Sequence, residues 1–377
     1  MNEPITALMV STTYPASTED WKGIFIRNLC NALALRADLE LNLWAPPGDM
    51  HTAINPATTL RESAWLSELM HKGGIAHLLR TNKGVAFISA VKLLMMLRSA
   101  YKRSASVDLY HVNWLQNALP LPADRKPLIV SVLGTDMLLL KLPMMRAMLR
   151  RIFNNHPTII CPNADWMVPI LKSQFSELAK VVFVPFGIDP MWYAITRDCQ
   201  TRSPARWLAV TRITRDKLGP LFDWCAPLFE GQHRELHLFG PMQESIKLPP
   251  WLHYHGPENP ENLCKTWFPT AQGFITLSRH AEGRPQVLLE AMAAGLPIIA
   301  SRIPAHEDLI LHNETGWLCG KPEELSEGVK ELETWPDNHR IGTAARNWAS
   351  REFGTWEDCA ARYVSLYHEL IEDKRYG

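Results

Sequence analysis

The sequence contains no hydrophobic run long enough to span a membrane and no cysteine pattern that would bind a metal or build a disulfide framework. A bilayer needs roughly 20 consecutive apolar residues, whereas the apolar run at residues 93–97 is flanked by Lys92 and Arg98. The seven cysteines have no Cys-x-x-Cys spacing; they are Cys30, Cys161, Cys199, Cys225, Cys264, Cys319 and Cys359. Scattered cysteines and a start without a signal-peptide pattern predict reduced thiols and a cytoplasmic protein.

Two further absences limit the function. No Gly-x-Gly-x-x-Gly motif follows a predicted strand, which argues against a Rossmann dehydrogenase. Lys and Arg balance Asp and Glu at 39 each, so the chain lacks the basic excess typical of nucleic-acid-binding proteins. The charge is uneven, however, because residues 1–188 hold 19 Lys and Arg against 13 Asp and Glu, and the remainder holds 20 against 26. A basic first half and an acidic second half predict different partners for the two halves.

The 377 residues exceed what a single hydrophobic core usually serves, so we expect two domains. Short apolar strands alternate with helical stretches, which is typical of α/β proteins with parallel sheets. The predicted strands of the first half are residues 5–11, 39–44, 109–112, 128–133, 158–161 and 181–184. Those of the second half are residues 207–210, 236–239, 251–255, 273–277 and 297–301. We assign residues 1–188 and 189–355 to two Rossmann-like domains and residues 356–377 to a C-terminal helix.

The segment from Ser278 to Pro297 carries the strongest chemical signal. A polar loop follows a predicted strand, Pro285 opens a helix because its missing N–H is not needed there, and Gly295 ends that helix. Amide groups at the start of such a helix are suited to phosphate or sugar oxygens. Glu290 lies inside the helix among apolar neighbours, so its carboxylate needs a partner. Spacing alone leaves two partners open, a ligand hydroxyl or a neighbouring loop.

This segment resembles the E-x7-E signature of retaining glycosyltransferases of family 4, with Glu282 and Glu290 as the two glutamates. The resemblance implies the α/β GT-B fold, in which two Rossmann-like domains face each other across a cleft and a C-terminal helix crosses back to the N-domain. It also implies that Glu282 orients the donor sugar as a catalytic residue and that Glu290 bonds the ribose. The donor-binding residues at the helix start would be Gly283, Arg284, Pro285 and Gln286.

A second element of the same family lies upstream, after the first predicted strand of the second half. Arg212 and Lys217 resemble its R-x4-K element, whose cations hold the donor diphosphate and stabilise the charge that develops on it. Taken alone, two basic residues at this spacing are usually a solvated surface. The family has Lys-Gly here, whereas Leu218 separates Lys217 from Gly219. Gly23 resembles the family's glycine loop, where the backbone approaches the donor phosphate.

One departure affects the sugar-facing side of the predicted site. Many family members have a histidine before Gly-x-Asp at the end of an N-domain strand, where this chain has Leu133. Asp136 of the same motif remains, and we assign it to the sugar or acceptor side. His111 ends another predicted strand and could supply an imidazole there, although a core or surface histidine is an equal alternative.

The resemblance therefore predicts a retaining hexosyltransferase that moves a sugar from a nucleotide-diphosphate sugar, with UDP favoured over GDP, to a glycan or lipid-linked acceptor. The setting that it suggests is surface polysaccharide or lipopolysaccharide biosynthesis. No cofactor or metal ion is expected, because the nucleotide sugar is a substrate and His253 and His255, two residues apart, have no third ligand. Two alternatives on the same fold stay open, a nucleotide-sugar isomerase or epimerase and a non-catalytic sugar-nucleotide-binding module.

Two stretches of the basic half combine bulky apolar residues with cations, at residues 92–103 and 141–153. Basic amphipathic helices of this kind can rest on anionic lipid, which would make the protein a peripheral protein at the inner face of the membrane. The alternative is an ordinary helix with one buried face. A lipid-linked acceptor would explain the excess positive charge of the first half.

Overall fold

A computed structural model describes residues 3–17, 20–74, 83–198 and 203–376, with side chains up to Glu372. The chain divides into two compact units. The first contains Met1–Phe186 and Trp356–Gly377, and the second contains Gly187–Thr355. Cys199, one of the seven cysteines, lies outside the described residues.

The first unit is built on a seven-stranded parallel sheet in the order β3-β2-β1-β4-β5-β6-β7. Its strands are β1 Ile5–Val10, β2 Leu39–Trp44, β3 Ile54–Pro56, β4 Leu109–Asn113, β5 Leu128–Val132, β6 Thr158–Pro162 and β7 Lys180–Val181. Successive residues of β1 enter different cores, Ala7 and Met9 on one face and Leu8 and Val10 on the other. Both faces are therefore covered, as expected for a parallel sheet. The strand order reverses between β1 and β4, where Rossmann-like folds bind ligands.

The helices of this unit before its C-terminal segment are α1 Ile24–Ala34, α2 Leu60–His71, α3 Lys83–Arg103, α4 Pro143–Phe153 and α5 Val168–Phe175. α1 begins at Gly23, whose φ of 74° is left-handed, and an added Cβ would lie 2.9 Å from Thr13 Oγ1. Glycine is therefore required at this turn. α2 is absent from the predicted elements, although Thr59 and Glu62 form a capping box that the sequence signals.

α3 is longer and more apolar than the predicted run at residues 93–97. By length and composition it could cross a membrane, and it is the one helix within the described ranges that passes this test. It passes because the apolar sequence continues N-terminally from Lys92 through residues 85–91. Its C-terminal half packs on the core of the first unit through Leu93 and Leu97, as core helices of globular proteins do.

The second unit repeats this design with a six-stranded parallel sheet in the order β10-β9-β8-β11-β12-β13. Its strands are β8 Ala205–Val210, β9 Arg234–Phe239, β10 His253–Gly256, β11 Gly273–Thr276, β12 Ile298–Ser301 and β13 Trp317–Cys319. Its helices are α6 Pro190–Tyr193, α7 Arg215–Leu218, α8 Leu221–Phe229, α9 Pro260–Asn262, α10 Gln286–Ala293, α11 Pro304–Glu307, α12 Pro322–Glu331 and α13 Trp335–Glu352. The order reverses between β8 and β11, so the loops after these strands meet at one edge of the sheet.

The C-terminal helix α14, Trp356–Tyr376, belongs to the first unit and is joined to its sheet by a buried polar network. His111 Nδ1 lies 2.6 Å from Tyr367 Oη, and His111 Nε2 lies 2.7 Å from Ser131 Oγ. Ser131 Oγ in turn lies 2.8 Å from Tyr363 Oη. Burial lowers the pKa of His111 to about 3, so this imidazole is neutral. Of the two roles left open for His111, these contacts favour the core role.

Replacing Tyr367 with Phe tests this network. The variant should lose about 1–3 kcal/mol of the free energy of unfolding, because His111 Nδ1 would stay buried without a partner. Urea-induced unfolding followed by circular dichroism measures the change. Tyr14→Phe is the matched control, since the buried Tyr14 hydroxyl has no hydrogen-bond partner among the described residues. Equal losses in the two variants would contradict a stabilising network.

Candidate active site

Two loops meet where the strand order of the second sheet reverses. The segment after β8 carries Arg212 in its loop and Lys217 on α7, and the loop that joins β11 to α10 carries Glu282. The Arg279 amide donates a 2.8 Å hydrogen bond to the Asp216 carbonyl, which ties the second loop to α7. The R-x4-K and E-x7-E elements therefore share one edge of the second sheet, whereas Gly23, also predicted to bind the donor, lies in the first unit.

Gly219 explains how the chain accommodates its departure from the family's Lys-Gly spacing. α7 ends at this residue, whose φ is 55°, and an added Cβ would lie only 2.0 Å from the Leu277 carbonyl oxygen. Leu218, the extra residue, is buried in the core of the unit. The extra residue thus anchors α7, and the glycine remains where the two loops approach most closely.

The two loops bring the predicted cation and the first glutamate into contact. Lys217 Nζ lies 2.6 Å from Glu282 Oε1, and each side chain is 13% exposed. Ser278 Oγ donates to the same carboxylate oxygen at 3.1 Å. Burial would raise the pKa of Glu282, but the charge and hydrogen bond of Lys217 outweigh it and hold that pKa below its usual value. Burial lowers the pKa of Lys217, and Glu282 opposes this effect.

The ion pair adds little to stability but leaves the site positively charged. Removing two charges from water costs about as much as their attraction returns, so a buried pair is weak support for a fold. Arg212 lies close enough for its charge to lower the pKa of Lys217. Two cations and one carboxylate leave an excess positive charge, which suits an anion such as a diphosphate.

Helix α10 begins directly after the Glu282 loop. Pro285 is its N-cap, and Gly295, with a φ of 67°, follows its end. Gly283 and Pro285 are buried. The Gln286 side-chain amide donates a 2.9 Å hydrogen bond to the Gly187 carbonyl, so this side chain is used within the unit. The four predicted cradle residues, 283–286, therefore lie together at one helix start.

Arg284 has a structural environment that the sequence does not indicate. Its guanidinium pairs with the Asp308 carboxylate, and both side chains are buried. It also lies over the Phe353 ring, 4.7 Å from the centroid. The Arg284 side chain thus fixes the loop to Asp308 and Phe353. The predicted contact of this residue with a donor would then be made by its backbone.

Glu290 is the fifth residue of α10, about one turn from its start, and is half-buried. Its carboxylate accepts no hydrogen bond from the part of the chain that the structure describes. Burial, and secondly the nearby charge of Asp189, raise the pKa of Glu290 to about 8. Of the two partners left open, a neighbouring loop is therefore not found among the described residues.

In the first unit, Asp136 holds two strand ends together. Its carboxylate accepts hydrogen bonds from the amides of Leu115, Leu133 and Gly134 at 3.0 to 3.1 Å. Burial raises its pKa to about 6 against the effect of these bonds. Leu133, at the family's histidine position, is half-buried.

Two histidines near Glu282 and one residue of the first unit were not predicted. His280 and His306 lie close enough to Glu282 to lower its pKa. His280 could be suspected because it lies two residues before Glu282, whereas His306 gives no signal because it follows the next strand. In the first unit, Trp114 follows β4 with a φ of 66°, which bulky residues rarely adopt, and no sequence pattern indicates this.

His253 and His255 lie on β10, at the edge of the second sheet. His255 Nε2 is 2.9 Å from His237 Nδ1, and the His237 ring stacks on both other rings. Burial lowers the pKa of His237 to about 4. Within the described ranges, no three His, Cys, Asp or Glu side chains are grouped as metal ligands would be. The cluster is a hydrogen-bonded stack at the sheet edge.

Residues 248–348 match the family model for glycosyl transferases group 1, a range that includes Glu282 and Glu290. Over 162 residues, the chain is 28% identical to the amylovoran biosynthesis glycosyltransferase AmsK of Erwinia amylovora, which covers 37% of this chain and 38% of that protein. The chain spans only 24% to 38% of the length of the curated relatives that it matches.

Solved structures are similar over almost the whole chain. Sucrose-phosphate synthase from Thermosynechococcus elongatus has a TM-score of 0.71 at 17% identity, covering 98% of this chain and 100% of that one. Anabaena Alr3699/HepE in complex with UDP and glucose has a TM-score of 0.66 at 15% identity, covering 97% and 100%. Likenesses at these identities show the fold, so the predicted GT-B fold is confirmed. Together with the family model, they support the GT-B glycosyltransferase superfamily.

Proposed function

We propose that the protein is a retaining hexosyltransferase that takes its sugar from a nucleotide-diphosphate sugar. The observation that carries this proposal is the contact between Lys217 and Glu282, made by two loops that resemble the R-x4-K and E-x7-E elements. The match to glycosyl transferases group 1 over residues 248–348 supports the same activity. Arg212, Lys217 and Glu282 are the catalytic residues in this proposal.

The donor diphosphate would replace the Glu282 carboxylate on Lys217, with Arg212 as the second cation. These cations would stabilise the negative charge that develops as the bond between the sugar C1 and the phosphate breaks. The acceptor hydroxyl attacks from the same face, the departing phosphate accepts its proton, and the anomeric configuration is retained. Glu282, released from Lys217, would orient the donor sugar, and Glu290 would bond the ribose. Because the protein supplies position and charge, no metal ion is needed.

The donor nucleotide that we favour is UDP, and the acceptor class is a glycan or a lipid-linked glycan. The HepE structure contains UDP and glucose on the same fold, which supports a UDP-sugar. AmsK is named for amylovoran biosynthesis, which supports a biosynthetic transfer such as surface polysaccharide or lipopolysaccharide assembly. The cytoplasm, where nucleotide sugars are available, is the location that fits this activity.

Incubation with UDP- and GDP-sugars, followed by mass spectrometry, tests this function. We expect one sugar nucleotide to raise the melting temperature and to release its nucleoside diphosphate slowly without an acceptor, unchanged by EDTA. A ligand at 100 times its Kd stabilises a protein by about 2.7 kcal/mol, which a thermal-shift assay detects. An isomerised sugar nucleotide would indicate an epimerase instead, and binding without turnover would indicate a non-catalytic module. No response to any sugar nucleotide would contradict all three.

We also propose that the first unit contacts anionic membranes. Phe87 and Ile88 on α3 are 69% and 68% exposed, and the exposed Val91 and Met95 continue the same stripe. Exposed apolar side chains of this size, arranged together, are uncommon on soluble surfaces unless they bind something. On α4, the exposed Met144, Met148 and Arg151 lie on one face of the helix. Apolar side chains flanked by cations are complementary to an anionic lipid surface.

Flotation with liposomes tests the membrane contact. The protein should float with phosphatidylglycerol-containing liposomes at low salt and stay behind with pure phosphatidylcholine. The double variant Phe87→Ser/Ile88→Ser should bind at least about tenfold more weakly, because each buried side chain contributes roughly 1.5–3 kcal/mol when fully inserted. Leu60→Ser is the matched control, since Leu60 is 92% exposed on α2 and outside the stripe. Protein that does not float with anionic liposomes would contradict this contact.

A further inference from the structure

His306 lies buried behind the ion pair, on α11 after β12. It is 1% exposed, and its Nδ1 is 2.9 Å from the Ser301 carbonyl oxygen and 3.2 Å from Ser301 Oγ. Ser301 Oγ donates a 2.6 Å hydrogen bond to the Ser278 carbonyl, and Ser278 Oγ donates to Glu282. Ser301 therefore links His306 to Ser278, whose hydroxyl group bonds Glu282.

These contacts determine where the imidazole carries its proton. The Ser301 hydroxyl donates its hydrogen to the Ser278 carbonyl, and the Ser301 carbonyl oxygen can only accept a hydrogen bond. His306 Nδ1 must therefore carry a hydrogen and donate it. In the neutral ring, Nε2 is then a bare acceptor. That atom is buried and has no hydrogen-bond partner in the described part of the chain. A buried polar atom without a partner is destabilising, so its presence here requires an explanation.

The charges that face His306 come from the two loops of the candidate site. Burial lowers the pKa of His306, the hydrogen bond to the Ser301 carbonyl and the Glu282 carboxylate raise it, and the Lys217 ammonium lowers it. On its own segment, Glu307 pairs with Arg302, and Asp308 pairs with Arg284. Glu282 and Lys217 therefore act on the protonation of this ring in opposite directions, in addition to the effect of burial. Moving Lys217 away would remove one of the two influences that lower this pKa and leave that of Glu282, which raises it.

We propose that His306 is a positioning residue for Glu282: when a bound diphosphate draws Lys217 away, His306 takes a proton from solvent and donates a hydrogen bond from Nε2 to that carboxylate. This inference rests on the proposed function, because it needs a diphosphate on Lys217. The exchange balances charge, since the imidazolium replaces the ammonium beside Glu282 while Lys217 meets the phosphate. Glu282 then keeps a cationic donor and its position while it holds the sugar.

Isothermal titration of UDP into the whole protein at pH 7, in two buffers of different ionisation enthalpy, counts the protons taken up on binding. His306→Gln, which has a neutral side chain, should take up about one proton fewer per UDP than the wild type. It should also bind UDP several-fold more weakly. His253→Gln is the matched control, because His253 is an exposed histidine of the β10 edge, and its proton count should equal that of the wild type. A merely structural role for His306 would change affinity or stability without changing this count.

Histidine side-chain NMR of the wild type gives a second measurement that does not depend on the variant folding. One buried imidazole should change from the neutral Nδ1–H form to the imidazolium when UDP is added. Equal proton counts for the wild type and His306→Gln, or an imidazole that stays neutral with UDP bound, would overturn this inference and leave the transferase proposal intact. A wild-type protein that binds no nucleotide would contradict both this inference and the transferase proposal.

Discussion

Lys217→Ala should reduce the turnover of the nucleotide sugar by about 30- to 10³-fold, which corresponds to about 2–4 kcal/mol of transition-state stabilisation. The reason is that the leaving diphosphate would lose one of its two cations at the point where its charge develops. Initial rates of nucleoside diphosphate release, measured over a range of donor concentrations, separate kcat from KM. The loss should fall mainly on kcat, because the charge is larger in the transition state than in the bound substrate.

Two controls separate a loss of catalysis from a loss of stability. Lys217→Ala leaves Glu282 buried without its cation, which is destabilising in itself. The double variant Lys217→Ala/Glu282→Gln removes that unpaired charge, so it should unfold like the wild type and remain inactive. Lys265→Ala removes a lysine that is 72% exposed and paired with Glu261, and its rate should be unchanged. A normal kcat for Lys217→Ala would exclude Lys217 from the mechanism.

The strands that lead to the site could be predicted because each is a short buried apolar run. The prediction for β2 agrees at every residue, and those for β5 and β11 extend one residue too far. Strands covered on both faces are apolar throughout, so they are visible without alternation. β3 and β13 have three residues each, lie at the two sheet edges, and are too short to produce such a pattern.

The candidate site could be predicted as a set of residues but not as a set of contacts. The spacing of the two elements selects Lys217 and Glu282, yet their pairing depends on the close approach at Gly219, which joins segments far apart in sequence. The two roles of His111 could not be separated because its partner, Tyr367, is 256 residues away. The buried pairing of Arg284 is hidden for the same reason. Local sequence patterns therefore predict which residues belong to the site, whereas contacts between distant segments determine which partner each side chain binds.

Glu290→Gln should remove a pH dependence from the stability of the protein. Burial and the Asp189 charge raise the pKa of Glu290 in the folded protein to about 8, from an ordinary value of 4.5. Between these values the folded state keeps a proton that the unfolded chain releases. The stability that this proton contributes is therefore complete below pH 4.5 and is lost as the pH rises through about 8. Between pH 5 and pH 9 we expect the wild type to lose on the order of 4 kcal/mol relative to Glu290→Gln.

Urea unfolding of both proteins at pH 5, 7 and 9 measures this difference, with the exposed Glu261→Gln variant as the control. Equal pH dependence in the wild type and Glu290→Gln would contradict the assigned environment of Glu290. The same pair of proteins tests its function, because ribose hydroxyls donate to a carboxylate and so favour the ionised form. Relative to Glu290→Gln, the wild type should therefore bind UDP more tightly at pH 9 than at pH 6. A constant affinity ratio would mean that the ribose does not bond Glu290, and the raised pKa would then reflect burial alone.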